Sequence, residues 1–124
     1  MRIRILVANQ NQDFCSELAE FLDRLGCMSL QAHSIAHAKS LGGAIAFDFC
    51  LIDLSFDGES ALPLVSYWQE NPAKSPQPIL MIDRDLTASQ LALLPEHPAT
   101  LPKVFAPDAL VALLNTKAAK RDGN

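Results

Sequence analysis

Three short apolar runs, "IRILVA" (3–8), "FCLIDL" (49–54) and "PILMID" (78–83), limit the folds open to this chain more than any other feature. They are apolar on consecutive residues and not only on alternate ones, so strands built from them must be buried on both faces. Each is followed by a stretch with helical spacing or helix signals, and such alternation of strand and helix implies a parallel sheet joined by right-handed crossovers. Five strand–helix units can be read.

After the first run, Phe14, Leu18, Phe21, Leu22 and Leu25 recur at three- and four-residue steps, with Asn11 or Asp13 able to cap the start and Gly26 suited to the stop. "CMSLQAH" (27–33) reads as a weaker strand, and "SIAHAKSLGG" (34–43) as a short helix opening on Ser34 and ending at Gly42. A helix over about 60–70 accommodates Pro63 in its first turn, where proline sacrifices no helical hydrogen bond. "LTASQLALL" (86–94) is a fourth helix, and "ATLPKV" (99–104) a fifth strand provided that Pro102 lies near an end or a bulge. From Pro107 a fifth helix runs through "PDALVALLNTKAAK", with Asp108 at its positive end and Lys117 and Lys120 toward its negative end, before a frayed "RDGN". The expectation is one α/β doubly wound domain over residues 1–124, with its core at about 3–118.

Composition narrows the function classes. A chain of 124 residues with 49% apolar and 19% charged residues is globular, and its longest apolar runs fall well short of the roughly 20 residues that cross a bilayer. "RIRILVA" directly after Met1 lacks the length and cleavage site of a secretory signal, so the expected location is the cytoplasm. Cys15, Cys27 and Cys50 are odd in number and without CxxC spacing, and they read as small core residues. A net charge of −4 with no Lys/Arg cluster argues against direct nucleic-acid binding. His33, His37 and His97 have no metal-ligand spacing with any Cys or carboxylate and read as surface histidines. Tyr67 and Trp68 close the third helix, where an aromatic pair either packs on the sheet or anchors a partner.

In doubly wound sheets ligands bind beyond the carboxyl ends of the strands. Polar groups stand at four of those ends: Asn9 and Gln10 after the first strand, Asp53 at the third, Asp83 at the fourth and Lys103 at the fifth. Those side chains are expected to converge.

In these elements the sequence resembles the receiver domain of bacterial two-component response regulators. "IRILVANQ", "FDFCLIDL", "PILMID" and "LPKVFAPDALVALL" carry the resemblance, over residues 3 to about 118. It implies a flavodoxin-like fold with strand order 2-1-3-4-5, Asp53 as the phosphoacceptor and Lys103 as the phosphoryl-binding lysine. It also implies signalling partners, namely a histidine kinase, an output domain or another regulator, docking on the fourth helix, fifth strand and fifth helix, with a homodimer as a further expectation. No catalytic residue is assigned and the chain is not read as an enzyme.

The departures from that family pattern shape the expectation. Asn9 and Gln10 stand where an acidic pair holds Mg²⁺, and neutral amides bind a hard, reluctantly dehydrated cation poorly. Asp53 and Ser55 are the weak remaining metal candidates, and no cofactor is expected to bind tightly. Asp83 stands at the hydroxyl position, where a carboxylate about 5 Å from a phosphoryl group would repel it by about 3 kcal/mol at an effective dielectric near 20. Thr100 replaces the aromatic switch residue, "KVF" lacks the usual proline after the lysine, and "LSFDGES" is shorter than usual before its Asp57–Gly58 turn. Two carboxylates and one ammonium would leave the pocket near −1, with Lys103 bridging Asp53 and Asp83; the alternative is that Asp83 faces solvent beside Arg84, outside the site, and the sequence does not fix its orientation. The sequence thus reads as an atypical receiver used for protein interaction. Two alternatives stay open: phosphorylation of Asp53 by a partner kinase, and a small nucleotide- or flavin-binding domain. The last lacks any Gly-rich phosphate loop.

Overall fold

The double-sided apolar runs become the inner strands of a parallel sheet. The structure, a computed structural model, describes residues 2–56 and 58–122, with the side chains of 55, 56 and 116–122 outside that description. In chain order the main elements are β1 (Arg4–Ala8), α1 (Gln12–Arg24), β2 (Met28–Ala32), α2 (Ile35–Ala44), β3 (Phe49–Asp53), α3 (Leu62–Glu70), β4 (Gln77–Ile82), α4 (Ala88–Ala92), β5 (Ala99–Pro102) and α5 (Pro107–Asp122). The five strands lie parallel in the order β2-β1-β3-β4-β5, the doubly wound, flavodoxin-like arrangement expected. Between β3 and α3, Ser55–Phe56 and Glu59–Ser60 pair as a separate antiparallel hairpin.

Alternation along the strands splits the core in two. Leu6, Ala8, Cys50, Ile52, Leu80 and Ile82 face one way and pack with Ala38, Leu62, Val65 and Trp68 from α2 and α3. Ile5, Val7, Phe49, Leu51, Ile79 and Met81 face the other way and pack with Cys15, Leu18 and Leu22 of α1 and Leu110 and Leu114 of α5. Each Leu or Ile so buried removes enough apolar surface to contribute about 1.5–3 kcal/mol. All three cysteines are buried and unpaired, as expected of core residues. Removal from water pushes their thiols above the ordinary range, most strongly for Cys50.

The helix starts follow side-chain chemistry. Asn11, and not Asp13, caps α1 by accepting from the Phe14 amide at 3.0 Å. Gly26, at φ +83°, supplies the left-handed residue that turns the chain into β2. Ser34 caps α2 on the His37 amide, and Thr87 forms a reciprocal capping box with Gln90 at the head of α4, which covers only five residues of the 86–94 expected. Pro102 is the last residue of β5, the end position a proline requires. The fifth helix extends into the "RDGN" segment as far as Asp122; Gly123 and Asn124, like Asp57 of the expected turn, lie outside the described residues.

Gly42 does not end α2 as the sequence suggests. The helix continues to Ala44, and Gly42 is buried within it because a Cβ there would sit 3.1 Å from Cζ2 of the buried Trp68. The glycine is a packing choice. Gly43, one residue on, meets nothing within 4 Å. Gly43→Ala is therefore expected to stabilise the fold by about 0.5–1 kcal/mol through the unfolded chain, whereas Gly42→Ala should destabilise it by about 1 kcal/mol as overpacking outweighs that gain. Urea unfolding of the two variants checks this, and equal stabilisation by both would mean that the Trp68 ring yields.

Candidate functional site

The odd-numbered strand residues that face α1 and α5 end in a polar cleft. Asn9, Gln10, Asn11, Phe14, Asp53, Met81 and Lys103 line about 270 Å³ at the carboxyl edge of the sheet. Asp53 is the last residue of β3 and its side chain is only 10% exposed. Lys103 follows β5 directly, fixed by its amide donating to the Ile82 carbonyl at 2.8 Å. Its ammonium Nζ lies 3.2 Å from Asp53 Oδ1. Oδ1 is buried without a hydrogen bond among the described residues, so this contact is an ion pair without the directed geometry of a hydrogen bond. The carboxylate would otherwise be a costly uncompensated buried charge.

The first-strand end is organised by its backbone. Asn9 Oδ1 accepts from the Asn11 amide at 2.9 Å, and the Asn9 amide donates to the Ala32 carbonyl. The Asn9 carbonyl in turn meets Cys15 Sγ at 3.5 Å and His33 Nδ1 at 3.1 Å, the latter as the N–H donor. His33, read from sequence as a surface residue, thus helps hold the strand end that carries Asn9. Phe14 and Met81 also line the cleft, and sequence reasoning placed neither there. The available signal was parity: Met81 is in register with Asp53 on the adjacent strand.

Asp83 does not join the site. β4 ends at Ile82, and the Asp83 side chain beyond it is 63% exposed, with Oδ1 4.0 Å from Arg84 Nε. The expected Lys103 bridge between two carboxylates is therefore replaced by a single Lys103–Asp53 pair, with Asp83 turned to solvent outside the residues that line the cleft. Among the described lining residues Asp53 and Lys103 sum to zero, where −1 was expected with Asp83 in the site. Thr100 lies within β5, opposite Leu80 and half-buried, on the face away from the cleft. The side chain of Ser55 lies outside the described residues.

The donor set does not suit a divalent cation. Among the described residues Asp53 is the one carboxylate lining the cleft, its polar neighbours there other than Lys103 are the carboxamides Asn9, Gln10 and Asn11, and Asn9 Oδ1 already accepts from the Asn11 amide. Among the described residues no cluster of three His, Cys, Asp or Glu is placed to hold a metal. A hard ion such as Mg²⁺ needs carboxylate charge to offset its dehydration.

Comparison with known proteins gives a structural answer only. No protein-family model matches the chain, and no curated protein matches it. Solved receiver domains do match. The CheY-like response regulator receiver domain protein from Methanospirillum hungatei JF-1 superposes with a TM-score of 0.84 at 13% identity, covering 99% of this chain and 98% of that one. The response regulator signal receiver domain from Bermanella marisrubri gives 0.79 at 21% identity, covering 95% and 99%. The Vibrio cholerae chemotaxis protein CheY4 gives 0.80 at 13% identity, covering 94% and 98%. The chain has the fold of CheY-like receiver domains.

Lys103→Met should cost about 1–2 kcal/mol, well below the 3–5 kcal/mol of a fully buried pair because Lys103 is 43% exposed and its charge is partly screened. Asp53→Asn in the same chain should recover most of that loss. Urea unfolding of both single variants and the double variant gives the coupling, and strictly additive costs would mean that the two charges do not stabilise each other.

Proposed function

We propose that this chain is a receiver-like domain of two-component signal transduction that acts mainly as a protein-interaction module, with little Mg²⁺-dependent phosphorylation of Asp53. The fold shared with solved receiver domains supports the signalling class. The observation that carries the finer reading is the cleft itself. The one carboxylate among its described lining residues is already paired with Lys103, and its first-strand positions, Asn9 and Gln10, offer amides where a cation needs charge. A phosphodonor would meet a neutral site with an internal cation in place.

The surface through which such a module would work is α4–β5–α5. Two large apolar residues lie exposed around it: Leu93, the C-terminal cap of α4, and Val104, which follows Lys103 and is 93% exposed. Exposed aliphatic side chains on a rim of polar residues suit a histidine kinase, an output domain or another regulator. Nothing in the cleft is assigned a catalytic role, and the chain is read as a binding protein and not an enzyme. The competing reading rests on the same pair: a buried aspartate beside a lysine is also what a phosphoacceptor requires, and a kinase docked over the cleft could supply the missing charge.

Intact-mass spectrometry after incubation with acetyl phosphate and Mg²⁺ tests the proposal. The expected result is no phosphoryl mass on the wild-type chain and no Mg²⁺ uptake by calorimetry, with both gained on Asn9→Asp/Gln10→Asp. A phosphoryl mass on the wild type that vanishes in Asp53→Asn would overturn it in favour of the phosphoacceptor.

A further inference from the structure

We infer that the outer edge of β2 is a self-association surface, on which a second copy of this chain adds its own β2 antiparallel to form one continuous sheet across a two-fold axis. β2 is the terminal strand of the sheet. Its pairing with β1 fixes which groups are free: the Met28 amide donates to Ile3 and the Ala32 carbonyl accepts from Asn9, so the even-numbered residues bond inward. The N–H and C=O groups of Ser29 and Gln31 therefore point outward, to where no strand lies among the described residues. An unpaired edge of this kind is a template for another strand.

The sequence of the edge names a second copy as the occupant. Natural edges are usually blunted by a lysine, a proline or a bulge. From Leu25 to Ala38 the chain carries no Asp, Glu, Lys or Arg and no proline. The opposite edge strand, β5, is shorter and ends on Pro102. Two copies that each carry a net charge of −4 repel over much of their surfaces, and this segment, with no charged residue of its own over 25–38, adds nothing to that repulsion.

The pattern is also self-complementary. With the two-fold axis at Leu30, Ser29 of one copy and Gln31 of the other form a hydrogen-bonded pair, repeated on the far side of the axis, and each pair exchanges both backbone bonds. Leu30 then faces its own equivalent, and Met28 faces Ala32 on the same side of the sheet. Met28 is 41% exposed in the single chain, and Leu25 beside it is also exposed. Their apolar surface would extend the stripe across the junction. The contact is small, so its dissociation constant belongs in the micromolar to millimolar range, about −8 to −4 kcal/mol. The inference stands apart from the signalling role proposed above and does not depend on Asp53.

Sedimentation equilibrium over a wide concentration range tests it. The wild-type chain is expected to show a reversible monomer–dimer equilibrium. Ser29→Lys/Gln31→Lys places like charges opposite each other twice and should shift the chain to monomer, as should Ser29→Glu/Gln31→Glu; circular dichroism confirms that both variants stay folded. Mixing the two variants pairs opposite charges at both positions and should restore a heterodimer. A wild-type chain that stays monomeric at millimolar concentration, a dimer indifferent to the substitutions, or no heterodimer on mixing would overturn the inference.

Discussion

Everything at the candidate site depends on β3 being buried from end to end. All five of its residues lie in the interior, with β1 on one side, β4 on the other and helices over both faces. Apolar side chains accept that environment without cost, but the last residue is Asp53, and a lone carboxylate there is unfavourable unless a cation reaches it. The cation comes from beyond the end of β5, two strands away. The pair is thus a product of sheet order, since only the β3-β4-β5 neighbourhood brings a residue so distant in sequence within 3.2 Å.

That arrangement sets the electrostatics of the cleft. With Asp83 outside, paired to Arg84 in solvent, the described lining carries one negative and one positive charge and is otherwise made of amides, a phenyl ring and a thioether. An internal ammonium does for Asp53 part of what a divalent ion would do in a site richer in carboxylates. It is also cheaper to keep, because lysine sits half in water and gives up only part of its hydration.

Much of this was legible from residues alone. Consecutive apolar residues foretold the inner strands, and Asn11, Ser34 and Gly26 foretold where helices begin and end, because caps act within one turn of chain. Gly42 misled for a physical reason. A glycine that stops a helix and a glycine that makes room for a ring have the same sequence signature, and the ring here belongs to Trp68 on another helix. Asp83 was undecidable from residues alone: Asn9, Asp83 and Lys103 each stand one residue past a strand end, yet only Asn9 and Lys103 enter the cleft while Asp83 turns to solvent beside Arg84. Phe14 and Met81 were overlooked because apolar residues at helical or strand spacing are read first as core, and both are partly that as well.

The sequence by itself determined the class of fold, the positions of most helix starts and the set of strand-end polar groups from which the ion pair is drawn. Those follow from short-range physics: side-chain period, capping hydrogen bonds and the rule that ligands gather at strand ends. Only the tertiary structure decided that Lys103 reaches Asp53 and not Asp83, that His33 and Cys15 both meet the Asn9 carbonyl, and that Gly42 lies under Trp68. Each of those joins elements separated by a crossover or a loop, and their distances are set by how layers pack and strands register. No local pattern of residues encodes that.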